Sequence, residues 1–290
     1  MERPLKIALE LRPHTAAILD GTLAPPRGLR AEFVEVKPVN RAFRRMVRDL
    51  EFDICEMAVV THYLARGRGR PFLALPVFLA RHFPHPAFEC GQHSGIATPA
   101  QLAGTRVGSR SFTMTTAVWA RGVLARQFGV DTADVTWVIA DEEHVPDLTL
   151  PPNVVKLPGA DLRAMLRAGE LQAGIGLSVR DDSVYPLWDD PGAAERDWLA
   201  RTGADPVNHA VVVREELLAA YPGIGQDLYE WFAAAREAAG PAGAAAAGPY
   251  GMTEANRTSL AVLLGLTRDE LRGEHGLPGT PAEAFLRVNQ

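Results

Sequence analysis

Between Phe78 and His85 the chain reads Phe-Leu-Ala-Arg-His-Phe-Pro-His, which gathers the guanidinium of Arg81 and the imidazoles of His82 and His85 in one short stretch. Arginine offers a planar fork of donors that matches a carboxylate, and histidine is the side chain whose charge changes near neutral pH. Together they suit the gripping of a small carboxylated molecule and the passing of a proton to it. The stretch follows an apolar run, Phe72-Leu73-Ala74-Leu75-Pro76-Val77, whose length predicts a buried strand, so a turn is expected from Phe78 onward. Polar groups at a strand's end face the ligand crevice of open α/β sheets.

Other groups carry possible chemistry. Glu56 interrupts the apolar run Ile54-Cys55-Met57-Ala58-Val59. A carboxylate there is either buried, with a raised pKa suited to acid–base work, or ion-paired with Arg81 or another cation. His209 sits in Val207-Asn208-His209-Ala210-Val211, as a hydrogen-bonded core residue or as a proton carrier. Ser111-Phe112-Thr113-Met114-Thr115-Thr116 leads into a helix containing Trp119 and Arg121. Helix N-termini attract carboxylates, and Thr115 or Thr116 either adds a hydroxyl donor or simply caps the helix. Arg121 lies deeper and fits a structural ion pair. His82, His85 and His93 lack a surrounding carboxylate-and-histidine signature, so no metal site is predicted.

These groups need a scaffold. Strand-like runs are read at Leu5–Leu11, Ala31–Val36, Phe52–Val60, Arg106–Ser109, Val135–Ile139, Val154–Leu157, Ala173–Leu177 and Val207–Val213. Helical patterns alternate with them: Thr15–Leu19, Asn40–Leu50, Thr98–Leu102, Met114–Phe128 and Leu162–Ala168. Beyond Val213 the chain reads as helical at Glu215–Ala220, Gln226–Ala239, Glu254–Leu264 and Ala282–Val288, with a loop or loose helical turn at Gly240–Pro249. Alternation of this kind implies an α/β fold with largely parallel sheets. Two α/β units followed by a helical return suggest two lobes around a cleft: residues 1–90 plus 205–290, and residues 91–204.

The 290 residues include 47% hydrophobic and 22% charged side chains, ordinary for a globular protein. A net charge of −5 argues against non-specific association with nucleic acid or an anionic membrane surface. The run Arg66-Gly67-Arg68-Gly69-Arg70 reads as a solvated loop. Cys55 and Cys90 form neither a zinc pattern nor a disulfide framework. No signal-peptide pattern and no apolar stretch of about 18 residues is visible, so the expectation is a cytoplasmic chain without a membrane partner.

Several segments, in order, resemble the 4,5-dihydroxyphthalate decarboxylase family: Phe52-Asp53-Ile54-Cys55-Glu56; Pro76-Val77-Phe78; Arg81-x-Phe83-x-His85; Gly104-x-Arg106-Val107-Gly108; Met114-Thr115; Val118-Trp119-x-Arg121; Met165-Leu166-x-x-Gly169-Glu170; Pro206-x-x-His209; and Tyr250-Gly251 with Asn256-Arg257. The resemblance implies a two-lobed type II periplasmic-binding-protein-like fold with a ligand cleft between the lobes. It also implies an enzyme that removes one carboxylate from a dihydroxylated aromatic diacid, with no organic cofactor expected. His85, His209 and Glu56 become candidate catalytic residues. Arg81, Thr115, Thr116, Phe83, Ser111, His14 and Tyr250 become candidate substrate contacts. The chain departs from the family pattern at Pro13-His14-Thr15, Ser111, Ala140-Asp141 and Asn208, positions that bear on substrate choice.

In the expected reaction a histidine protonates the ring carbon that bears the departing carboxylate, while Arg81 and the Thr115 helix end anchor the other one. Glu56 orients a histidine or accepts a phenolic proton. Rival readings are a solute-binding protein for a small carboxylate, a related enzyme acting on another carboxylated metabolite, and the effector domain of a transcription regulator. Homo-oligomer formation and a metal requirement stay open.

Overall fold

The computed structural model describes residues 3–289. The first elements are β1 (Leu5–Ala8), α1 (Pro13–Leu19), β2 (Ala31–Phe33), α2 (Asn40–Asp49), β3 (Ile54–Ala58), α3 (Val59–Gly67) and β4 (Phe72–Arg81). Then come β5 (Phe88–Gly91), β6 (Arg106–Ser109), α4 (Thr115–Phe128), β7 (Thr136–Ile139), β8 (Val154–Lys156), α5 (Leu162–Arg167), β9 (Ala173–Ile175), β10 (Val184–Pro186) and α6 (Pro191–Thr202). The chain finishes with β11 (Val207–Arg214), α7 (Glu215–Ala220), α8 (Ile224–Ala238), α9 (Gly240–Ala247) and α10 (Glu254–Glu270).

Two compact units result. The first holds the residues up to Arg81, Val207–Leu264 and those from His275 onward. The second holds His82–Pro206 and Gly265–Glu274. Residues 82–90, expected in the first lobe, group with the second, because β5 pairs on both sides with strands of that unit, β9 and β10. Residues 265–274 do the same: Glu270 pairs with Arg121, and Leu266 packs on Gly122.

The first unit is built on the sheet β2-β1-β3-β11-β4. β1 pairs in parallel with β2 and β3, whereas β11 runs antiparallel to both of its neighbours, β3 and β4. One sheet face carries Ile54, Val211, Val213, Leu75, Val77 and Leu79, and these pack with Ile18 of α1 and Leu228, Phe232 and Ala235 of α8. Alternating side chains along each strand put every second residue on that face.

The second unit has the sheet β10-β5-β9-β6-β7-β8, parallel from β9 through β8 and reversed at β5. Its core includes Val138, Leu162, Leu166, Leu171 and Leu177.

Several elements differ from expectation. The turn predicted at Phe78 is strand as far as Arg81, because β11 lies alongside and pairs Val207 with Arg81 and His209 with Ala80. The run Phe52–Val60 is strand only to Ala58, and α3 begins at Val59. Ala282–Val288 is not an α-helix: a short 3-10 turn at Pro281–Glu283 leads to Phe285, which bridges to Ala74 beside β4. The Gly-Ala tract closes as the regular helix α9. Among the described residues no helix is long and apolar enough to cross a membrane.

Candidate active site

The register of the first sheet decides which groups meet. β1, β3 and β4 end at one edge, and β11, running the other way, begins there. In the β3–β11 pairing Ala58 faces His209 and Glu56 faces Val211, so Glu56 and His209 are diagonal neighbours on one sheet face. Register shifts in the β11–β4 pairing fall on either side of His209, the kind of irregularity that re-aims a side chain.

Glu56 is fully buried, and its carboxylate is saturated. His209 Nδ1 lies 2.6 Å from Oε1. Arg12 reaches both oxygens with its two terminal nitrogens, at 2.7 Å to Oε2 and 2.8 Å to Oε1. The backbone N–H of Glu10 donates to Oε2 at 3.1 Å. Arg12 is held in turn by the bend after β1. Thr15 Oγ1 donates to the Glu10 carbonyl at 2.7 Å and accepts from the Arg12 amide at 2.8 Å, and Pro13 opens α1. The side chain of Arg12 is 18% exposed, and it forms a second ion pair with Glu10.

Of the two readings of Glu56, a raised-pKa acid–base group or a partner in an ion pair, the structure has the ion pair, with Arg12 as the cation in place of Arg81. Burial alone pushes its pKa up, but the hydrogen bond and charge of His209 and of Arg12 more than reverse that, holding it at about 2. Glu56 is therefore a fixed anion. As an anion it accepts from His209 Nδ1–H, which orients the ring and leaves Nε2 outside the pair. His209 is 22% exposed, and its ring meets the edge of Phe43 at 5.1 Å between centroids.

Three further candidates belong to the same unit. His14 is buried, with Nε2 donating to the Leu79 carbonyl at 3.1 Å, and burial lowers its pKa. Tyr250 is buried beneath Arg236, whose guanidinium carbon sits 5.5 Å from the ring centre. Arg81 donates from Nε to the Ala247 carbonyl at 3.2 Å and from Nη2 to Asn256 Oδ1 at 2.5 Å and the Pro249 carbonyl at 3.2 Å. It thus ties down the turn after α9. At Gly248, with φ +67° and ψ −170°, the backbone passes so close that a Cβ would lie 2.8 Å from Arg81 Nε.

The remaining candidates belong to the second unit. His85 Nε2 contacts Gln127 Oε1 at 3.0 Å, and Gln127 donates to Asp197 at 2.9 Å. Its Nδ1 is buried without a partner, and burial lowers the pKa. Phe83 lies 6.2 Å from it, ring to ring. Ser111 is buried, and the amides after it, those of Phe112 and Thr113, are occupied by the carboxylate of Glu143 at 2.7 and 3.1 Å. Thr115 begins α4, and Thr116 Oγ1 pairs with His82 Nε2 at 2.9 Å. Arg121 is buried and paired with Glu270 at 2.5 Å. Among the described residues no group of three or more His, Cys, Asp or Glu is placed to hold a metal ion.

Arg12 is the residue that sequence reading does not single out. The available signal is indirect: a buried Glu56 demands a cation, and an arginine just before a helix-opening proline is well placed to supply it.

A curated 4,5-dihydroxyphthalate decarboxylase of Comamonas testosteroni is 31% identical over 195 residues, covering 62% of this chain and 59% of that protein. One of Pseudomonas putida is 33% identical over 171 residues, covering 54% of this chain and 66% of that protein. The chain is thus similar, over part of its length, to two 4,5-dihydroxyphthalate decarboxylases. Both matches span less than two thirds of these relatives' own length. No protein-family model matches the chain. Among solved structures, the periplasmic sulfonate-binding protein of Methylobacillus flagellatus superposes with a TM-score of 0.60 at 11% identity, covering 98% of this chain and 91% of that one. The alkanesulfonate-binding protein of Xanthomonas axonopodis pv. citri gives 0.55 at 13% identity, covering 98% of both chains. The fold of this chain is thus the periplasmic-binding-protein fold, as expected from its sequence.

Proposed function

We propose that this chain is a carboxy-lyase that removes one carboxylate from a hydroxylated aromatic dicarboxylate of the 4,5-dihydroxyphthalate type. The observation that carries the reading is the 2.6 Å contact of His209 with Glu56, a buried carboxylate kept anionic by Arg12. The likeness to two decarboxylases supports it.

Direct loss of CO2 from an aryl carboxylate would leave an unstabilised ring carbanion. A hydroxyl para to that carboxylate gives an easier route. Its oxygen pushes electron density to the carbon bearing the carboxylate, and that carbon takes a proton from His209 Nε2. The hydroxyl proton is released, leaving a ketone-like, dearomatised intermediate. The bond to CO2 then breaks, its electron pair restores the ring, and the oxygen regains a proton. In sum one proton is consumed, one C–H bond replaces one C–C bond, and CO2 leaves.

His209 takes the donor role rather than His85, because His209 is 22% exposed and backed by the Glu56 carboxylate, whereas His85 rests on the neutral amide of Gln127. General acid–base help of this kind contributes about 10²–10⁴ in rate. The test is incubation with a panel of hydroxylated benzene dicarboxylates, scored for products lighter by one CO2. Turnover in the native chain that falls by about 10²-fold or more in His209→Ala supports the reading. No product from any panel member, or unchanged turnover in the variant, overturns it. Binding of the diacid without CO2 release would reassign the chain to a binding role.

A further inference from the structure

Three polar groups in the first unit are left without protein partners, and they share one neighbourhood. Arg236, half-buried on α8, makes no ion pair or hydrogen bond among the described residues, and its Nε is buried and unsatisfied. It stacks over the ring of Tyr250, whose hydroxyl is also unsatisfied in a residue only 7% exposed. His14 is 2% exposed and has an unsatisfied Nδ1. Charge links the set. His14 feels Arg12, Glu56 and Arg236, and Tyr250 feels Arg236, Arg12, Arg81 and Glu56. α1 and α8 pack together, and α9, which carries the chain from α8 toward Tyr250, packs on β4. Pro13, beside His14, lies against Gly243 of α9, the helix that leads to Tyr250, and buried polar groups are nearly always paired, so three unpaired ones on these packed elements call for an occupant.

The donor and acceptor roles define that occupant. A carbonyl can only accept, so His14 Nε2 carries the proton facing Leu79, and Nδ1 presents a lone pair. Arg236 has only donors, and the Tyr250 hydroxyl can donate. The neighbourhood therefore offers a charged fork and a hydroxyl to an anion, and one acceptor to a ligand O–H. We infer that Arg236, Tyr250 and His14 form a subsite for a small organic acid bearing both a carboxylate and a hydroxyl, beside the His209–Glu56 pair. Arg236 and Tyr250 take the carboxylate that stays on the ring, an assignment that rests on the decarboxylase reading. His14 accepts from a hydroxyl of the ligand. Arg81, committed to the turn after α9, is not needed as the anchor.

The test measures binding by calorimetry to 4,5-dihydroxyphthalate, to phthalate, which lacks the hydroxyls, and to catechol, which lacks the carboxylates. Arg236→Gln is expected to weaken the two diacids by about tenfold to a hundredfold and to leave catechol within about twofold, the scale of a lost charge-assisted hydrogen bond. Arg236→Lys should recover part of the loss, and matching melting midpoints establish that both variants fold. His14→Leu should weaken 4,5-dihydroxyphthalate and leave phthalate unchanged. Native-like binding of the diacids to Arg236→Gln, an equal loss for catechol, or no binding of any probe to the native chain overturns the subsite. Turnover of the diacid that Arg236→Gln leaves intact sinks the subsite and spares the lyase reading. Selective binding without CO2 release does the reverse.

Discussion

Glu56 and His209 lie 153 positions apart in sequence, yet their side chains meet at 2.6 Å because β11 inserts beside β3 with Ala58 opposite His209. The pair belongs to the sheet's pairing pattern and not to a loop. Its geometry is fixed by the same backbone ladder that holds the first unit together.

Removing one member of the Arg12–Glu56 pair should therefore be costly. Glu56→Gln leaves a guanidinium facing a neutral amide, and Arg12→Ala leaves a fully buried anion with His209 and one amide. Breaking a buried pair typically costs about 3–5 kcal/mol, and the partial exposure of Arg12 places its removal toward the lower end. Urea unfolding of each variant at pH 7 measures this. Stability within about 0.5 kcal/mol of the native chain would mean that the ion pair is not formed in solution.

Catalytic effects of Glu56 and His209 should not add. If Glu56 acts only through the His209 ring, Glu56→Gln lowers kcat, and the double variant with His209→Ala is no slower than His209→Ala alone. Steady-state kinetics on an accepted substrate decides it. A double variant slower by the product of the two single effects would give Glu56 an independent role.

Acid should destabilise the chain in two steps. Burial holds the His62 pKa down at about 4 against an ordinary 6.5, so the unfolded chain takes up that proton first. Stability is thus full above pH 6.5, falls as the pH drops below it, and this loss levels off beneath about 4. For Glu56 the folded pKa of about 2 lies below the ordinary 4.5, so a second loss runs between those values. Unfolding free energy measured against pH should show a shallower upper step in His62→Gln, the rest of that step belonging to His14 and His85, whose pKa values burial also lowers, and a shallower lower step in Glu56→Gln. An unchanged profile in either variant refutes the corresponding assignment.

Gly248→Ala should destabilise the fold. Its backbone angles, φ +67° and ψ −170°, lie in a region open essentially to glycine alone, and the new methyl would press on Arg81. A cost of about 1–3 kcal/mol is expected, visible as a lower thermal midpoint. A midpoint equal to that of the native chain would show that the turn relaxes freely.

Much of the architecture was legible from residue patterns, and the failures have physical causes. Arg106–Ser109 and Glu215–Ala220 match the observed elements to the residue, because turn-forming and charged neighbours bound them sharply. The change from β3 to α3 was invisible, since Ile54 through Ala65 is buried almost without a break and shows neither a period of two nor one of 3.6. The lack of bulk in Gly240–Ala247 points to a loop, yet alanine is the strongest helix former and the tract is helical. Ala282–Val288 has a helical pattern that tertiary pairing overrides, with Phe285 drawn to Ala74. In the site, Glu56 and His209 were legible as polar interruptions of apolar runs. Arg12 and Arg236 were not, because a surface-type residue in ordinary helical or loop context gives no hint of what it faces.

The insertion of β11 also sets an order of events during synthesis. The nascent chain delivers β1 to β4 early, but the seam between β3 and β4 stays open until residues 207–214 leave the ribosome, after all of His82–Pro206. The second unit can thus be largely built while the first still lacks the strand that joins β3 to β4. Since His209 arrives on that strand, its contact with Glu56 forms at the same step that seals the sheet.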